Sequence, residues 1–344
     1  MRTITVQAST QYDIIIGSGL LHSIGSEAAV FDQVKKVCVV SDSNVWPLYG
    51  AKVAMSLRNA GLDALCYIFQ AGEQSKNFAE YVKLINFLAE NHVTRSDLLI
   101  ALGGGVVGDL TGFAAATYLR GIRWVQLPTT LLAAVDSSVG GKTGIDLPAG
   151  KNLCGAFYQP SLVLCDTDTL FTLPEDIFID GCAEIIKYGI LYDAEFFRYL
   201  ESSGPGFDRE RVIARCIELK RDAVMLDEYD TGARMMLNLG HTIGHAIESC
   251  SNYTISHGTA VAIGTVAVTR AVHCIDTERI IACFQGFGLS VQSPFPAEVI
   301  LPYILSDKKR NGDKVRMIAP NHVGDCHILQ IPAEEVLPFI KEGL

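Results

Sequence analysis

The sequence has no excess of positive charge, no long apolar run and no paired cysteine motif, and each absence excludes a class of protein. Lysine and arginine total 28 against 38 aspartates and glutamates, a net charge of −10, which argues against a nucleic-acid binder. Two uncharged stretches, 258–269 and 280–297, are too short or too broken by Gly, Gln, Ser and Pro to cross a bilayer. We therefore expect no nucleic-acid partner and no membrane partner.

The ten cysteines are scattered along the chain, and no two of them form a Cys-x-x-Cys pair. This spacing argues against a zinc ribbon and a disulfide scaffold, and it favours reduced cysteines in a cytoplasmic protein. The segment Met1–Asp13 lacks the apolar core of a signal peptide, which gives the same expectation of a cytoplasmic location. With 344 residues, 49% of them hydrophobic, the chain suffices for about two domains.

The first half of the chain alternates apolar, β-rich runs with helical patterns. Apolar strands separated by helices predict a largely parallel sheet covered on both faces. We predict helices that Asn44 and Asn77 cap and that end near Gly61 and His92. The predicted strands are Tyr12–Ile16, Val37–Val40, Leu65–Phe69, Leu98–Leu102, Trp124–Leu127 and Leu162–Leu164.

The second half of the chain is mainly helical, except for a predicted hairpin of Val315–Ala319 with Cys326–Gln330. The pattern changes at Asp166–Leu173 from alternating strands and helices to mainly helices. We therefore expect an α/β domain over 1–170 and a mostly α-helical domain over 171–344. The predicted helices are 174–200 with an interruption at Asp193, 208–226, 232–250, 258–275, 277–287 and 333–342.

A glycine turn follows the predicted strand Leu98–Leu102. Gly103, Gly105 and Gly108 satisfy G-x-G-x-x-G between a strand and a helix, which favours a bound dinucleotide over an empty turn. No acidic residue stands at the usual distance downstream to bind the ribose. Asp42, which ends the earlier strand, is the better-placed ribose partner.

A second glycine segment, Gly140–Thr143, looks like the end of a P-loop. Asp136 occupies the position where that motif requires glycine, and its carboxylate would oppose a triphosphate, so we reject NTP hydrolysis. Lys142 and Lys151 stand near these glycines. These two lysines either bind a phosphate or are solvated on the surface.

Four polar residues are spaced 4, 3 and 4 positions apart and are predicted to share one face of a helix: Arg234, Asn238, His241 and His245. Histidines four residues apart can bind one metal ion, although Thr242 stands where a zincin would have glutamate. His257 supplies a third histidine, and the set favours a metal over buried structural histidines.

A metal held by histidines usually also takes a carboxylate, and Glu184 is the candidate. Glu184 and Lys187 share a helical face at i and i+3 inside an otherwise apolar segment. The two charges form either a structural ion pair or part of a site.

Taken together, these residues closely resemble the 3-dehydroquinate synthase family. The resemblance covers nearly the whole chain, with its motifs in order and at suitable spacing. It departs from the family pattern at Asp230, where Glu is usual, and at Leu239, where Phe is frequent. The motifs lie at 72–76, 103–109, 116–121, 128–144, 150–152, 183–189, 237–248, 257–258 and 307–309.

The resemblance implies a Rossmann-like NAD-binding domain, a helical metal-binding domain and a homodimer. It also implies two cofactors, NAD⁺ and one divalent metal, Zn²⁺ or Co²⁺. The implied metal ligands are Glu184, His241 and His257. His245, which spacing alone leaves open as a ligand, becomes a substrate or proton-relay residue.

The remaining site residues also follow from the resemblance. The implied catalytic residues are His245, Lys142, Lys187, Asn238 and Asp136. The implied substrate contacts are Arg120, Lys142, Asn152, Lys220, Arg234, and Lys308 or Lys309. The implied NAD⁺ contacts are Asp42, Glu73, Lys76, Gly105, Val106, Val107, Gly108, Asp109, Thr129, Thr130, Lys142, Lys151, Thr169, Leu170, Phe171 and Thr172.

The implied activity converts 3-deoxy-D-arabino-heptulosonate 7-phosphate, a small sugar phosphate, to 3-dehydroquinate and phosphate in the shikimate pathway of aromatic amino-acid biosynthesis. Its steps are transient oxidation by NAD⁺, phosphate elimination, re-reduction and intramolecular aldol closure. The alternatives are a related sugar-phosphate cyclase, a metal-dependent polyol dehydrogenase and a non-catalytic NAD sensor. Asn238, His245 and Lys308–Lys309 favour the dehydroquinate reaction over a related cyclase, and a sensor has no use for the Glu–His–His set.

Overall fold

The structure, a computed structural model, describes residues 1–306, 310–311 and 313–344. Its contacts divide the chain into two units, one of Met1–Leu173 with Arg209–Tyr229 and one of Pro174–Asp208 with Asp230–Leu344. The division differs from a single cut near residue 170, because the helix that begins at Arg209 contacts elements of the first unit.

The first unit is built on a seven-stranded sheet of order β1-β2-β9-β6-β5-β3-β4, and β7 and β8 form a separate hairpin. The β1–β2 pair is antiparallel, and the other neighbours in the sheet run parallel, as the sequence predicts. The strands are β1 (Arg2–Gln7), β2 (Gln11–Gly17), β3 (Lys36–Asp42), β4 (Asp63–Phe69), β5 (Leu98–Gly103), β6 (Arg123–Pro128), β7 (Lys142–Leu147), β8 (Gly150–Phe157) and β9 (Leu162–Asp166).

Helices cover both faces of this sheet and make up most of the second unit. In chain order they are α1 (Ile24–Ala29), α2 (Trp46–Asn59), α3 (Phe78–Glu90), α4 (Gly105–Thr117), α5 (Glu175–Tyr192), α6 (Ala194–Ser203), α7 (Arg209–Leu226), α8 (His241–Cys250), α9 (His257–Ala271), α10 (Thr277–Gly286), α11 (Ala297–Ser306) and α12 (Val336–Gly343). No helix in the described part of the chain combines the length and the apolar character that a bilayer crossing requires.

The sheet has two apolar layers because successive residues of a strand point to opposite faces. Val37 packs with α1 and α2 on one face, whereas its neighbour Cys38 packs with α3 and α4 on the other. Strands buried on both sides explain the continuous apolar runs of the sequence. The prediction of a largely parallel α/β domain followed by a helical one is confirmed.

The predicted helix caps have different outcomes. Asn77 caps α3, since its side-chain oxygen accepts the Glu80 N–H at 2.9 Å. The Asn44 prediction is wrong, because α2 begins at Trp46 without a side-chain cap. The carboxylate of Asp42 accepts the N–H groups of Asn44 and Val45 instead, at 2.8 and 2.9 Å.

In the second unit, Asp193 separates α5 from α6, as the sequence predicts, and its side chain also caps α6. The predicted hairpin is confirmed as β11 (Lys314–His322) with β12 (Asp325–Pro332), in a three-stranded sheet with β10 (Arg310–Asn311). The sequence analysis did not predict α11 or the β7–β8 hairpin. The ten cysteines are free thiols.

The predicted helix 232–250 is wrong as a single helix. A 3₁₀ helix covers Ala233–Asn238, and α8 begins only at His241. Gly240 between them has φ 77°, a left-handed conformation that ends one element and starts the other. A Cβ at Gly240 would lie 2.3 Å from Thr265 Oγ1, so close packing also requires glycine here.

Glycines also let α8 and α9 approach each other at backbone distance. A Cβ added to Gly264 would lie only 2.1 Å from the carbonyl oxygen of Gly240, and one added to Gly244 would lie 2.9 Å from that of Ala260. These approaches bring together the first turns of two helices, where His241 and His257 stand.

We expect Gly264→Ala to lower the free energy of unfolding by about 1–3 kcal/mol, because the added methyl group overpacks the α8–α9 contact. The matched control is Gly286→Ala, at the end of α10, where an added Cβ meets no heavy atom within 4 Å. It should leave stability unchanged or raise it by up to about 1 kcal/mol. Thermal or urea unfolding of both variants measures the difference, and equal stability of the two would contradict the packing argument.

Candidate functional site

The second unit brings a glutamate and two histidines together around one point. Glu184 Oε1, on α5, lies 3.2 Å from Nε2 of His241 and 3.2 Å from Nε2 of His257. The three residues form a possible metal-ligand set whose ligand atoms all lie within 4.8 Å of one another. A tetrahedral Zn²⁺ about 2.1 Å from each ligand would place its ligands about 3.4 Å apart, so the observed spacing fits such an ion.

Local structure places the two histidines at helix starts. His241 opens α8 after Gly240, and His257 opens α9 after Ser256. Asp180, one turn before Glu184 on α5, accepts the Thr259 N–H at 3.2 Å and so ties the start of α9 to α5. The carboxylate and both imidazoles are thereby held by elements of a single packed unit.

Burial raises the pKa of Glu184, but the Lys187 ammonium and His241 lower it more, so its pKa lies well below the usual range. Glu184 is only 1% exposed and forms an ion pair with Lys187. Because the carboxylate is fully ionised near neutral pH, Glu184 is ready to act as a ligand.

The surroundings shift the pKa values of the two histidines in opposite directions. Burial lowers the pKa of His241 more than Glu184 raises it. Burial also lowers the pKa of His257, but hydrogen bonds to Glu184 and Glu248 raise it to about 10. His241 Nδ1 lies 3.0 Å from the Leu239 carbonyl oxygen, which can only accept, so Nδ1 carries a proton and Nε2 faces the Glu184 carboxylate. This orientation suits Nε2 as a metal ligand.

The other members of the predicted polar helix face are not all on one helix. Arg234 and Asn238 lie on the 3₁₀ helix, where Arg234 is buried and the Asn238 amide donates to the Met235 carbonyl at 3.0 Å. His245 is on α8, and its ring centre lies 5.3 Å from that of His241. The left-handed Gly240 separates the two pairs, so their spacing of 4, 3 and 4 does not describe one helical surface.

Sequence reasoning missed Glu248, a buried carboxylate on α8. Its Oε2 lies 3.3 Å from Nδ1 of His257. With His245 and His257 it forms a second possible ligand set within 4.8 Å. The spacing of His241, His245 and Glu248 at 4 and 3 residues was a signal that could have found it.

The first unit places the glycine turn at the point where its strand order reverses. β3 lies next to β5, while β4 and β6 continue in opposite directions, and ligands of open α/β sheets bind at such a point. Asp42 ends β3 beside the glycine turn that follows β5. Cβ atoms at Gly104 and Gly105 would lie 3.0 and 3.3 Å from Thr130 and Ser137. The bare backbone and the N–H groups of the first α4 turn therefore suit a dinucleotide phosphate.

A charged cluster adjoins this turn. The buried Lys76 Nζ lies 2.5 Å from Asp109 Oδ2 and 2.5 Å from Asn152 Oδ1. Burial lowers the pKa of Lys76, but Asp109 and Glu73 raise it more. Lys151 Nζ lies 3.8 Å from Glu73 Oε1. The structure thus joins Asn152, expected at the substrate, to residues expected at NAD⁺.

A second charged pair of the first unit joins two predicted site residues. Lys220 on α7 donates to the backbone oxygen of Asp136 at 2.5 Å and lies 3.0 Å from its Oδ1. Asp136 sits in a short π-helix, Ala133–Ser137, a geometry that is frequent at functional sites. Lys142 opens β7 and is exposed.

The remaining predicted residues lie at scattered positions of the first unit. Thr129 donates its N–H to Gly103 at 3.0 Å, which links the end of β6 to the glycine turn. The segment Thr169–Thr172 contacts Tyr49, whose hydroxyl donates to Thr169 O at 3.0 Å. Lys308 and Lys309 lie outside the described residues.

The fold is that of the sugar-phosphate cyclases. The chain is similar to 2-deoxy-scyllo-inosose synthase, solved as a complex with carbaglucose-6-phosphate, NAD⁺ and Co²⁺, with a TM-score of 0.89, 26% identity and coverage of 100% of both chains. It has the same fold as 2-epi-5-epi-valiolone synthase from Streptomyces hygroscopicus, solved with NAD⁺ and Zn²⁺ bound, with a TM-score of 0.87, 24% identity and coverage of 99% of this chain and 98% of that one.

Sequence similarity narrows this class to one family. The family models of the N-terminal and C-terminal parts of 3-dehydroquinate synthase match residues 66–180 and 181–310. The 3-dehydroquinate synthase of Streptococcus gordonii is 42% identical over 344 residues, which cover 96% of this chain and 97% of that protein. The chain belongs to the 3-dehydroquinate synthase family.

The ligand assignment predicts that His241→Ala lowers the content of bound divalent metal from about one ion per chain to a small fraction, because one of three ligands is lost. His245→Ala is the matched variant, four residues along α8, and should keep its metal. Elemental analysis of both proteins after dialysis measures the difference. Full metal content in His241→Ala would contradict the assignment.

Proposed function

We propose that this chain is a 3-dehydroquinate synthase, a carbon–oxygen lyase acting on phosphates. It converts 3-deoxy-D-arabino-heptulosonate 7-phosphate to 3-dehydroquinate and phosphate, as a cytoplasmic homodimer. The observation that carries the proposal is the Glu184–His241–His257 cluster in a chain of this family. The reaction removes phosphate and rearranges the carbon chain without net oxidation.

The second unit would hold the divalent ion on Glu184, His241 and His257. Bound there, the ion would supply polarisation of the substrate alcohol, and NAD⁺ would supply a reversible hydride acceptor. Lys187, paired with Glu184, keeps the carboxylate ionised and its Oε1 turned to the histidines. His245, exposed on the same face of α8 as His241, is placed to move protons at the substrate.

The first unit would bind the anionic groups of two ligands, NAD⁺ and the sugar-phosphate substrate. The α4 N-terminus and the glycine turn suit the NAD⁺ pyrophosphate, and Asp42 suits a ribose hydroxyl group. Lys142, exposed at the start of β7, and Lys220, held by Asp136, bring cationic groups for a substrate with a carboxylate and a phosphate.

The alternatives receive less support. The chain is 42% identical to a 3-dehydroquinate synthase, against 26% for 2-deoxy-scyllo-inosose synthase, so a different cyclase activity is disfavoured. A butanol dehydrogenase of Thermotoga maritima, at 14% identity and a TM-score of 0.68, shares the fold alone.

The proposed reaction predicts phosphate release without accumulation of NADH, because one hydride leaves the substrate and returns to it. With catalytic amounts of NAD⁺, many equivalents of phosphate should form per NAD⁺ while absorbance at the NADH band stays flat. Phosphate and NADH are followed together during incubation with the heptulosonate phosphate. Stoichiometric NADH would establish the dehydrogenase alternative, and no phosphate release would exclude the proposed function.

The backbone conformation at Arg120 supports a role for this residue in the proposed homodimer. Leu119 and Arg120 both have positive φ, 51° and 67°, a strained conformation for consecutive non-glycine residues. Such strain is frequent where a side chain is aimed at a ligand. We propose that Arg120 reaches the substrate phosphate of the other subunit, since its planar fork suits phosphate.

This proposal predicts complementation between two inactive variants. Arg120→Ala and His241→Ala should each be nearly inactive alone. In a mixed dimer, one site would carry both defects and the other would be intact. Random pairing of co-expressed chains should therefore restore about a quarter of wild-type activity. If tagged mixed dimers form but stay inactive, Arg120 does not act across the dimer.

A further inference from the structure

The carboxylates buried in the described residues divide by their partners. Asp97 and Asp166 accept backbone N–H groups of nearby loops, which is a structural use of a buried charge. Glu184 and Glu248 instead both contact the ring of His257, one at each nitrogen. Glu248 is 4% exposed, and burying an ionised carboxylate is costly unless a strong donor compensates it.

His257 therefore stands between two carboxylates on different helices. Its Nε2 lies 3.2 Å from Glu184 Oε1, and its Nδ1 lies 3.3 Å from Glu248 Oε2. A carboxylate can only accept, so Glu248 keeps a proton on Nδ1 and leaves Nε2 to face Glu184 and His241. A carboxylate that orients a ligating histidine in this way strengthens metal binding.

The two possible ligand sets share His257. One is Glu184 with His241, and the other is His245 with Glu248. An ion in the second set would occupy His245, which could then not move protons at the substrate. It would also need Glu248 as a ligand instead of a hydrogen-bond acceptor. Glu248 can therefore either orient His257 for the first set or ligate an ion in the second set, but not both.

We propose that Glu248 is a positioning residue that holds His257 with Nε2 toward Glu184 and His241, and so confines a divalent ion to that set and away from His245. The proposal rests on the metal site of the proposed function. Because Glu248 acts through His257, its loss changes the strength and geometry of metal binding and not the number of primary ligands.

Metal binding to the full chain tests this proposal without NAD⁺ or substrate. Zn²⁺ affinity is measured by competition with a chromophoric chelator, and the visible spectrum of bound Co²⁺ reports coordination geometry. Glu248→Ala should weaken Zn²⁺ binding about 10–100-fold and change the Co²⁺ spectrum. Glu248→Gln, whose amide oxygen still accepts from Nδ1–H, should keep the wild-type spectrum and lose less than about tenfold in affinity.

The variant His245→Ala tests the confinement. If the ion is bound by the Glu184 set, this substitution should leave the wild-type Co²⁺ spectrum intact. The control is Glu298→Ala, which removes an exposed carboxylate paired with Lys341 and should not affect metal binding.

Wild-type affinity and spectrum in Glu248→Ala would overturn the proposal, as would Glu248→Gln being as defective as Glu248→Ala. A changed Co²⁺ spectrum in His245→Ala would overturn the confinement to the Glu184 set. Thermal unfolding of the metal-free variants separates a folding defect from a binding defect. If Glu248→Ala does not fold, Glu248→Gln decides, since a changed spectrum there contradicts the acceptor role. Wild-type chains that bind no metal would instead refute the metal site of the proposed function.

Discussion

The buried carboxylate of Glu184 imposes the constraint on which the second unit depends. An ionised group that is 1% exposed must be met by positive charge, and the chain supplies it from Lys187 one turn away and from His257 of another helix. The close α8–α9 contact and the Asp180 cap on α9 hold His241 and His257 near Glu184. The charged groups come together only because glycines let the helices that carry them pack closely.

The first unit meets a different constraint, because the turn between β5 and α4 must expose backbone atoms and no side chains. Gly103 is one example: a Cβ there would lie 2.4 Å from Val107 of the following helix. Only glycine permits so sharp a passage from β5 to α4. The same passage leaves the first N–H groups of α4 without helical partners, and those groups attract an anion.

The sequence predicted strands well because doubly buried strands are continuous apolar runs, as in Leu98–Leu102. It failed at 232–250, because periodicity cannot report a change of helix type. Gly240 is left-handed, and a Cβ there would collide with Thr265, twenty-five residues along the chain. The β7–β8 hairpin was missed for a related reason, since glycines and lysines there resemble a phosphate loop.

At the candidate site, residue types and the family motifs selected the Glu184, His241 and His257 set, and the structure brings these three together. Spacing alone could not choose between His245 and His257, because the choice depends on which helix start faces α5. Glu248 was overlooked although its spacing puts it on one helical face with His241 and His245. The contact of Lys76 with both Asp109 and Asn152 joins segments that are far apart in sequence, which no local pattern reveals.

The membership of α7 in the first unit has a consequence for synthesis of the chain. The helix contacts β1, β2 and the π-helix that carries Asp136, yet it follows two helices of the second unit in sequence. A nascent chain that has emerged only through Leu173 therefore has every strand of the first sheet but lacks the helix that completes its packing. The first unit therefore gains its last helix only after synthesis has passed Pro174–Asp208, a segment that belongs to the second unit.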